Sequence, residues 1–252
     1  MLGFDEAPLR LFTEGSEASL KRVIKRLFKD PRVDPAVKLN ITLRNAAYHG
    51  YTSIVRLLLS DPRVDPSACD TKALRHASAN GHRDIVQLLL ADERVDPSAC
   101  DDEAIRWAAN KGHMAIVQLL LADKRVNPSA CNNKAIRWAA HEGHMSIIQL
   151  LLANEHVDPS ACDNEAIRTA AHKGHTAVVQ LLLADERVNP SAYENYAICW
   201  ASENGHNDIV QLLLVDKHVD PSACNNYAIY WAYRNGHGTI VQLLLTDKRV
   251  DP

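Results

Sequence analysis

The segment DDEAIRWAANKGHMAIVQLLLADKRVNPSAC, residues 101–131, decides the fold of this chain. Apolar residues recur at helical spacing in both of its halves, at Ala104, Ile105, Ala108 and Ala109 and then at Ile116, Val117, Leu120 and Leu121. Gly112 suits the left-handed residue that ends a helix, and Asp101 or Asp102 is placed to cap the first helix. Pro128 stops the second helix from running on. The segment therefore predicts two short helices joined by a turn.

This unit repeats along the chain with a period of 31 residues. The glycine recurs at Gly50, Gly81, Gly112, Gly143, Gly174, Gly205 and Gly236, and the proline at Pro35, Pro66, Pro97, Pro128, Pro159, Pro190, Pro221 and Pro252. Each helix has a single apolar stripe, so one unit cannot bury its apolar surface alone and must stack on copies of itself. The pattern predicts an all-α solenoid of helix-turn-helix repeats.

The residues from Ala108 to Leu121 read Ala-Ala-x-x-Gly-His-x-x-Ile-Val-x-Leu-Leu-Leu, and this resembles the ankyrin repeat. The resemblance covers nearly the whole chain. The family unit has about 33 residues, so the connection here is shorter by two. No glycine lies between Val126 and Ile136 to supply a positive φ, and we therefore expect shortened finger loops with little or no β-structure. An arginine column, Arg44, Arg75, Arg106, Arg137 and Arg168, stands where the family has a structural histidine; these side chains either take over its tethering bonds or are solvated.

We interpret residues 1–38 as a degenerate N-terminal capping repeat and residues 39–252 as seven repeats: 39–69, 70–100, 101–131, 132–162, 163–193, 194–224 and 225–252. The basic run Lys21, Arg22, Lys25, Arg26 and Lys29 indicates a solvated outer face of the cap. A nuclear localisation patch is the alternative. The last repeat keeps the interior pattern, which predicts a longer protein beyond Pro252 and weak self-association through this end.

The composition argues against several classes of protein. The chain has 28 Lys and Arg against 31 Asp and Glu, a formal charge of -3, so nucleic acid is not a favoured partner. No secretory leader or membrane-spanning stretch is apparent. Cysteines recur at Cys69, Cys100, Cys131, Cys162 and Cys224. This spacing predicts reduced packing residues rather than disulfides, and it favours a cytoplasmic or nuclear location.

No arrangement in the sequence is typical of catalysis, and we expect no enzyme activity, no cofactor and no metal. Six histidines follow the repeated glycines and are interpreted as fixing the turn between the helices. The serines after the prolines are interpreted as turn residues, and the glutamine column from Gln87 to Gln242 as second-helix surface. A catalytic site would be unique, whereas these residues recur.

Positions 103, 106, 107 and 110 of the first helix are predicted to face outward, because they lie away from its apolar stripe. The candidate partner-binding residues come from these columns and become aromatic toward the C-terminus: Arg106, Trp107, Arg137, Trp138, Tyr196, Trp200, Tyr227, Tyr230 and Trp231. Exposed Trp and Tyr beside Arg are enriched in interface hot spots. Packing between repeats is the alternative interpretation of the tryptophans.

The sequence predicts a scaffold or adaptor that binds a protein or peptide through its first helices and finger loops, which the ankyrin resemblance places on a concave surface. One alternative is nucleic-acid binding along the arginine column with stacking on Trp107 and Trp138. Another is a regulatory targeting domain with an effector domain after residue 252. A cage for methyl-lysine, formed by Tyr196, Trp200, Tyr227 and Trp231, would be one form of the scaffold function.

Overall fold

The computed structural model describes residues 16–30, 33–34 and 36–250, and these fall into two compact units divided after Asn127. No strand occurs in these ranges. The first unit contains the helices Glu17–Leu27, Val37–His49, Thr52–Leu59, Ala68–Ala79, Arg83–Leu90, Ala99–Asn110 and Met114–Leu121. The second unit contains Ala130–Glu142, Met145–Leu152, Ala161–Lys173, Thr176–Leu183, Ala192–Glu203, Asn207–Leu214, Ala223–Arg234 and Gly238–Thr246. The expected all-α class is confirmed.

Each unit is a stack of helical hairpins. Within each, first helices pack on first helices and second helices on second helices of the neighbouring copy. The predicted stripes form the core: Ile105 and Ile116 are 1% exposed, and Leu120 is fully buried. The glutamine column is exposed, as expected. Apolar burial of this kind contributes roughly 25 cal/mol per Å² and is the main force that holds neighbouring copies together.

The helix Glu17–Leu27 behaves as predicted for a solvated cap helix. Leu20 and Ile24 are buried, whereas Arg22, Lys25, Arg26 and Lys29 are exposed. Ser16 caps the helix, since its side chain accepts a hydrogen bond from the backbone N–H of Ser19. Residues 1–15 lie outside the described part of the chain.

A left-handed turn opens each first helix from Ala68 onward. In the helix Ala99–Asn110, Cys100, Asp101 and Asp102 have φ angles of 56°, 57° and 58°, and right-handed helix follows from Glu103. The same three positions are left-handed in the later first helices. Non-glycine residues in this region cost about 1–2 kcal/mol each. The premise that positive φ needs a glycine here is therefore wrong, although the expected lack of β-structure holds for the described residues. The predicted capping by Asp101 or Asp102 is also wrong, since the Asp102 carboxylate accepts the N–H of Asn127 and Asp101 is bonded through its carbonyl, to Arg106.

The repeated glycines end the first helices in the left-handed conformation, as predicted. At Gly174 φ is 79°, and the ring of His206, from the next copy, lies so close that an added Cβ would be 2.6 Å from its Cε1 atom. The histidine Nε2 donates to the carbonyl of His172, at 3.0 Å. The Gly-His column therefore fixes the turn of the preceding copy, which extends the prediction that it fixes the turn within its own unit.

A column of short polar side chains at the third left-handed position, from Asn40 to Asn195, tethers each of these copies to the loop that follows it, and Thr71 does so by donating its hydroxyl to the Asp96 carbonyl. The Oδ1 atom of Asn133 accepts the backbone N–H of Asp158 at 2.8 Å, and that of Asn164 accepts the N–H of Asn189 at 2.7 Å. Asp102 accepts the N–H of Asn127 at 2.7 Å. These bonds satisfy loop N–H groups that helices cannot pair, and they replace the β-pairing of a longer finger.

An arginine on the loop after most second helices bonds to the loop of the preceding copy. Arg94 pairs with Asp92 at 2.7 Å, and its Nη1 donates to the carbonyl of Val64 at 3.1 Å. The hydrogen bond from Arg94 holds the pKa of Asp92 below its usual range. The same arrangement is present at Arg63, Arg125, Arg187 and Arg249. Two copies have His156 and His218 in this position.

Candidate partner-binding surface

The predicted arginine column binds its own backbone rather than solvent. Arg106 Nε donates to the carbonyl of Asp101 at 2.8 Å and Nη2 to that of Cys100 at 2.7 Å. Arg168 makes the equivalent bonds. The prediction that these positions face outward is wrong for both residues, because they are 9% and 8% exposed. Their charged donors stabilise the left-handed turns by roughly 1.5–3 kcal/mol per bond, which offsets the strain.

Arg137 makes the same turn contacts but stays part-exposed. Its Nη1 also pairs with the Glu165 carboxylate of the next copy, at 2.5 Å. Arg75 pairs with Glu103 in the first unit. A stripe of free guanidinium groups for nucleic-acid phosphates would need these donors unoccupied. The geometry of Arg75, Arg106, Arg137 and Arg168 therefore gives no support to that alternative.

The tryptophans lie on the flanks of the first helices and are part-exposed. Trp107 Nε1 donates to the Glu103 carboxylate at 3.0 Å, and Lys111 Nζ lies 5.7 Å from its ring centroid. In the second unit, Lys134 Nζ lies 4.5 Å from the ring centroid of Trp138. Trp107 and Trp138 thus contact residues of their own helix and leave one part of each ring accessible.

Aromatic residues near the C-terminal end of the second unit form two groups of rings in contact, one around Trp200 and one around Trp231. We call Tyr193, Tyr196, Trp200, Tyr227, Tyr230 and Trp231 the aromatic cluster. Ring centroids are 4.9 Å apart for Tyr193 and Tyr196, and 5.2 Å for Tyr196 and Trp200. Trp231 lies 5.8 Å from Tyr227 and 5.4 Å from Tyr230. Tyr193 is 54% and Tyr230 51% exposed. Several large rings in contact with solvent form the kind of patch that marks an interaction site.

The surroundings of the cluster disfavour negative charge. The Tyr227 hydroxyl donates to the Glu203 carboxylate at 2.9 Å, and burial together with this bond raises the pKa of Tyr227 to about 12. Burial, followed by the nearby Cys224, Asp220 and Glu203, raises the pKa of the Cys199 thiol to about 12. Every neighbour that shifts these two pKa values raises them. Burial, the largest cause of both shifts, disfavours a charge of either sign, and the Glu203 carboxylate adds a negative charge near both groups.

The cysteine column does not pack as predicted. Cys100, Cys131 and Cys162 are exposed, because the left-handed turn carries their thiols outward. Their carbonyls accept the arginine Nη2 bonds, so their backbone rather than their side chain has the structural role. Cys199 does not belong to this column. It occupies the arginine position of its copy and is buried, at 1% exposed.

Recurring histidines and serines have structural partners. The Ser98 N–H and hydroxyl both donate to Asp96 Oδ1, at 2.9 and 2.7 Å, so the serine fixes the Asp-Pro-Ser turn as predicted. In the described ranges, no group of three or more His, Cys, Asp or Glu is placed to hold a metal ion. No helix described here is both long and apolar enough to cross a membrane.

Sequence reasoning missed the tether column. Its members are Asn40, Thr71, Asp102, Asn133, Asn164, Asn195 and Asn226, and their 31-residue spacing was visible. The signal was the recurrence of a short polar residue just before each apolar stripe. Short polar residues before a helix also favour capping, which is the role that the sequence predicts for Asp102. Only the left-handed backbone turns these side chains toward the following loop.

Each unit is a stack of helical hairpins whose first helices end at a glycine. This is the architecture of the helical repeat proteins. The family model for ankyrin repeats (three copies) matches residues 16–101, 74–163, 105–192, 136–225 and 167–252. The chain therefore belongs to the ankyrin repeat family, whose members are in general protein–protein interaction modules and are typically non-enzymatic. The comparison with curated proteins gave no significant match.

Proposed function

We propose that this chain is an interaction scaffold that binds a protein or peptide through its first helices and left-handed turns, with the aromatic cluster at the centre of the surface. The observation that carries the proposal is the partial exposure of six clustered rings beside Glu203. Tyr193 and Tyr230 are 54% and 51% exposed even with these contacts made, and aromatic anchors dominate binding energy in protein interfaces.

Arg137 and Trp138 extend this surface in the proposal as contributors at its edge, because their side chains are part-exposed, and Trp107 is a part-exposed candidate contact of the first unit. Arg106 has a different role. Its guanidinium group is buried and bonded to the turn, so it supports the shape of the surface instead of contacting the partner. The exposed free thiols of the cysteine column fit a cytoplasmic or nuclear location.

The test is the double change Trp200→Ala and Trp231→Ala. Both rings are part-exposed, so we expect the thermal unfolding midpoint to move little while capture of the cellular partner is lost. A hot-spot tryptophan contributes at least ~2 kcal/mol to binding. Pull-down from native cells, followed by mass spectrometry, identifies the partner that the variant loses.

Ile198→Ala is the matched control. Ile198 is fully buried in the same helix, and its truncation should cost about 2–5 kcal/mol of stability through the cavity it leaves. A double tryptophan variant that unfolds as early as Ile198→Ala, or that folds normally and still captures the partner, would contradict the proposed surface.

A further inference from the structure

Arg168 shows how a guanidinium group binds at a left-handed turn of this chain. Its Nε and Nη2 donate to the carbonyls of Asp163 and Cys162, at 2.8 and 3.0 Å. Its guanidinium carbon lies 4.5 Å from the ring centroid of Tyr193 and 5.9 Å from that of Trp200. Backbone acceptors on one side and aromatic rings on another form a site that suits a planar cation.

The next turn has the same backbone without the arginine. Tyr193, Glu194 and Asn195 have φ angles of 54°, 56° and 61°, as in the turn bound by Arg168. The arginine position is Cys199, whose side chain is too short to donate two such bonds. Within the described part of the chain, no side-chain donor bonds the Tyr193 carbonyl, and the Glu194 carbonyl is approached by the Cys224 thiol at 3.6 Å.

Two carboxylates lie near this turn, together with the Arg168 guanidinium group that packs on the Tyr193 ring. The Glu194 carboxylate lies 3.3 Å from the Cys224 sulfur, and Glu203 faces the same cluster through Tyr227. Burial is the largest cause of the raised pKa values of Cys199 and Tyr227, and the Glu203 carboxylate adds to both. One repeat further on, Trp231 corresponds to the Trp200 that lies beside Arg168, and its ring centroid lies 5.8 Å from that of Tyr227.

We propose that the turn at residues 193–195 binds an arginine side chain of the partner, so that a guanidinium group from outside occupies the position that Arg168 fills in the preceding copy. The inference rests on the proposed function, since it names the chemistry that the aromatic cluster recognises: a basic, arginine-bearing peptide segment. Arginine fits better than lysine because two parallel carbonyl bonds and ring stacking need a planar group with several donors.

The first test titrates the full chain with the acetylated peptide amide Gly-Arg-Gly and follows backbone amides by ¹⁵N NMR. We expect saturable shifts at Tyr193, Cys199 and Trp200. The matched peptide with citrulline in place of arginine should bind about tenfold more weakly, because it keeps the shape and loses the charge. No saturable shift at these amides, equal binding of the citrulline peptide, or preferential binding of a phosphorylated peptide there would overturn the proposal.

The second test fills the site from within. Cys199→Arg restores the residue found in the preceding copies, and its guanidinium group should occupy the turn and abolish peptide binding. Cys199→Ala leaves the turn accessible and should bind the peptide as the native chain does. Equal peptide binding by a folded Cys199→Arg variant overturns the proposal. If that variant fails to fold, the citrulline comparison and Cys199→Ala decide, and loss of binding in Cys199→Ala counts against the site.

The two proposals fail in different ways. If the double change Trp200→Ala and Trp231→Ala abolishes partner capture while Cys199→Arg changes neither capture nor peptide binding, the arginine site is wrong and the scaffold surface stands. If the double tryptophan variant still captures the partner, the scaffold surface is wrong, whatever the peptide titration gives.

Discussion

Asp102 is the acid in a tether column otherwise made of Asn and Thr. It is 5% exposed, and burial raises the pKa of its carboxyl group. Folding therefore shifts the protonation equilibrium of Asp102 toward the neutral form, relative to the unfolded chain. Its contribution to stability is fully present below the ordinary carboxyl pKa near 3.8 and is lost as the pH rises through the folded-state pKa.

We expect Asp102→Asn to increase the free energy of unfolding at pH 7 by up to about 1 kcal/mol, because the amide keeps the acceptor for the Asn127 N–H without a buried charge. Urea unfolding at pH 7 and pH 4 measures this, and the gain should shrink at the lower pH. The control is Asn164→Asp, which should lose stability at pH 7. A gain that is independent of pH would contradict the explanation.

A second prediction separates the backbone strain from the steric overlap that a side chain would cause at the repeated glycines. Gly174 and Gly236 both have a φ of 79°, but only at Gly174 would an added Cβ meet a ring, that of His206; at Gly236 the described residues leave the space open. Gly236→Ala should cost about 1–2 kcal/mol from backbone strain alone. Gly174→Ala should cost roughly 1–3 kcal/mol more, through overpacking. Equal losses in urea unfolding would show that the ring moves aside freely.

The stability of the first helices depends on the arginine that bonds to the left-handed turn. Arg168→Ala should destabilise the second unit by about 2–4 kcal/mol, since two charge-assisted bonds to a strained turn are lost. Arg168→Lys should recover little, because an ammonium group does not match both carbonyls. Urea unfolding is the measurement. Arg83→Ala is the control: Arg83 forms an exposed ion pair with Asp84 at 3.8 Å, so its loss should stay within about 1 kcal/mol.

The helices themselves were predictable because apolar spacing and the Gly-His turn depend only on local sequence. Ile105, Ile116 and Gly112 took their predicted places. The left-handed turns were not predictable, since Cys100 and Asp101 have no special preference for three successive positive φ angles. Their cause is non-local: Arg106 and the loop at Asn127 hold the turn from either side. The exposure of the aromatic cluster was predictable because its residues lie away from the apolar stripe of the first helix. The burial of Arg106 was not, because it depends on the left-handed turn at residues 100–102.

The protection of backbone amides against hydrogen exchange should differ between the copies. In six copies a small residue such as Ala171 or Ser202 occupies a fully buried position of the first helix. In the last copy the same position is Tyr233, which is 78% exposed. Leu245 in the same copy is 50% exposed. These two helices therefore have less buried apolar surface to hold them closed.

Hydrogen exchange measures this difference directly. Amides of the helix Gly238–Thr246 should exchange at least about tenfold faster than those of Thr176–Leu183, because local opening exposes less apolar surface. Repeating the measurement at higher protein concentration checks the expected self-association, which would slow exchange in Gly238–Thr246 alone. Equal rates in the two helices would contradict the uneven stability.

The bonds between copies also limit how the gene can change in length. The Asn164 tether spans 25 residues, the Arg187 bond to Val157 spans 30, and the His175 bond to His141 spans 34. Inserting one residue between Asn164 and Asn189 would move the loop N–H away from its acceptor. Duplicating or deleting a whole 31-residue unit preserves every span. Lineages of this protein should therefore differ in their number of copies and hold the length of each copy constant.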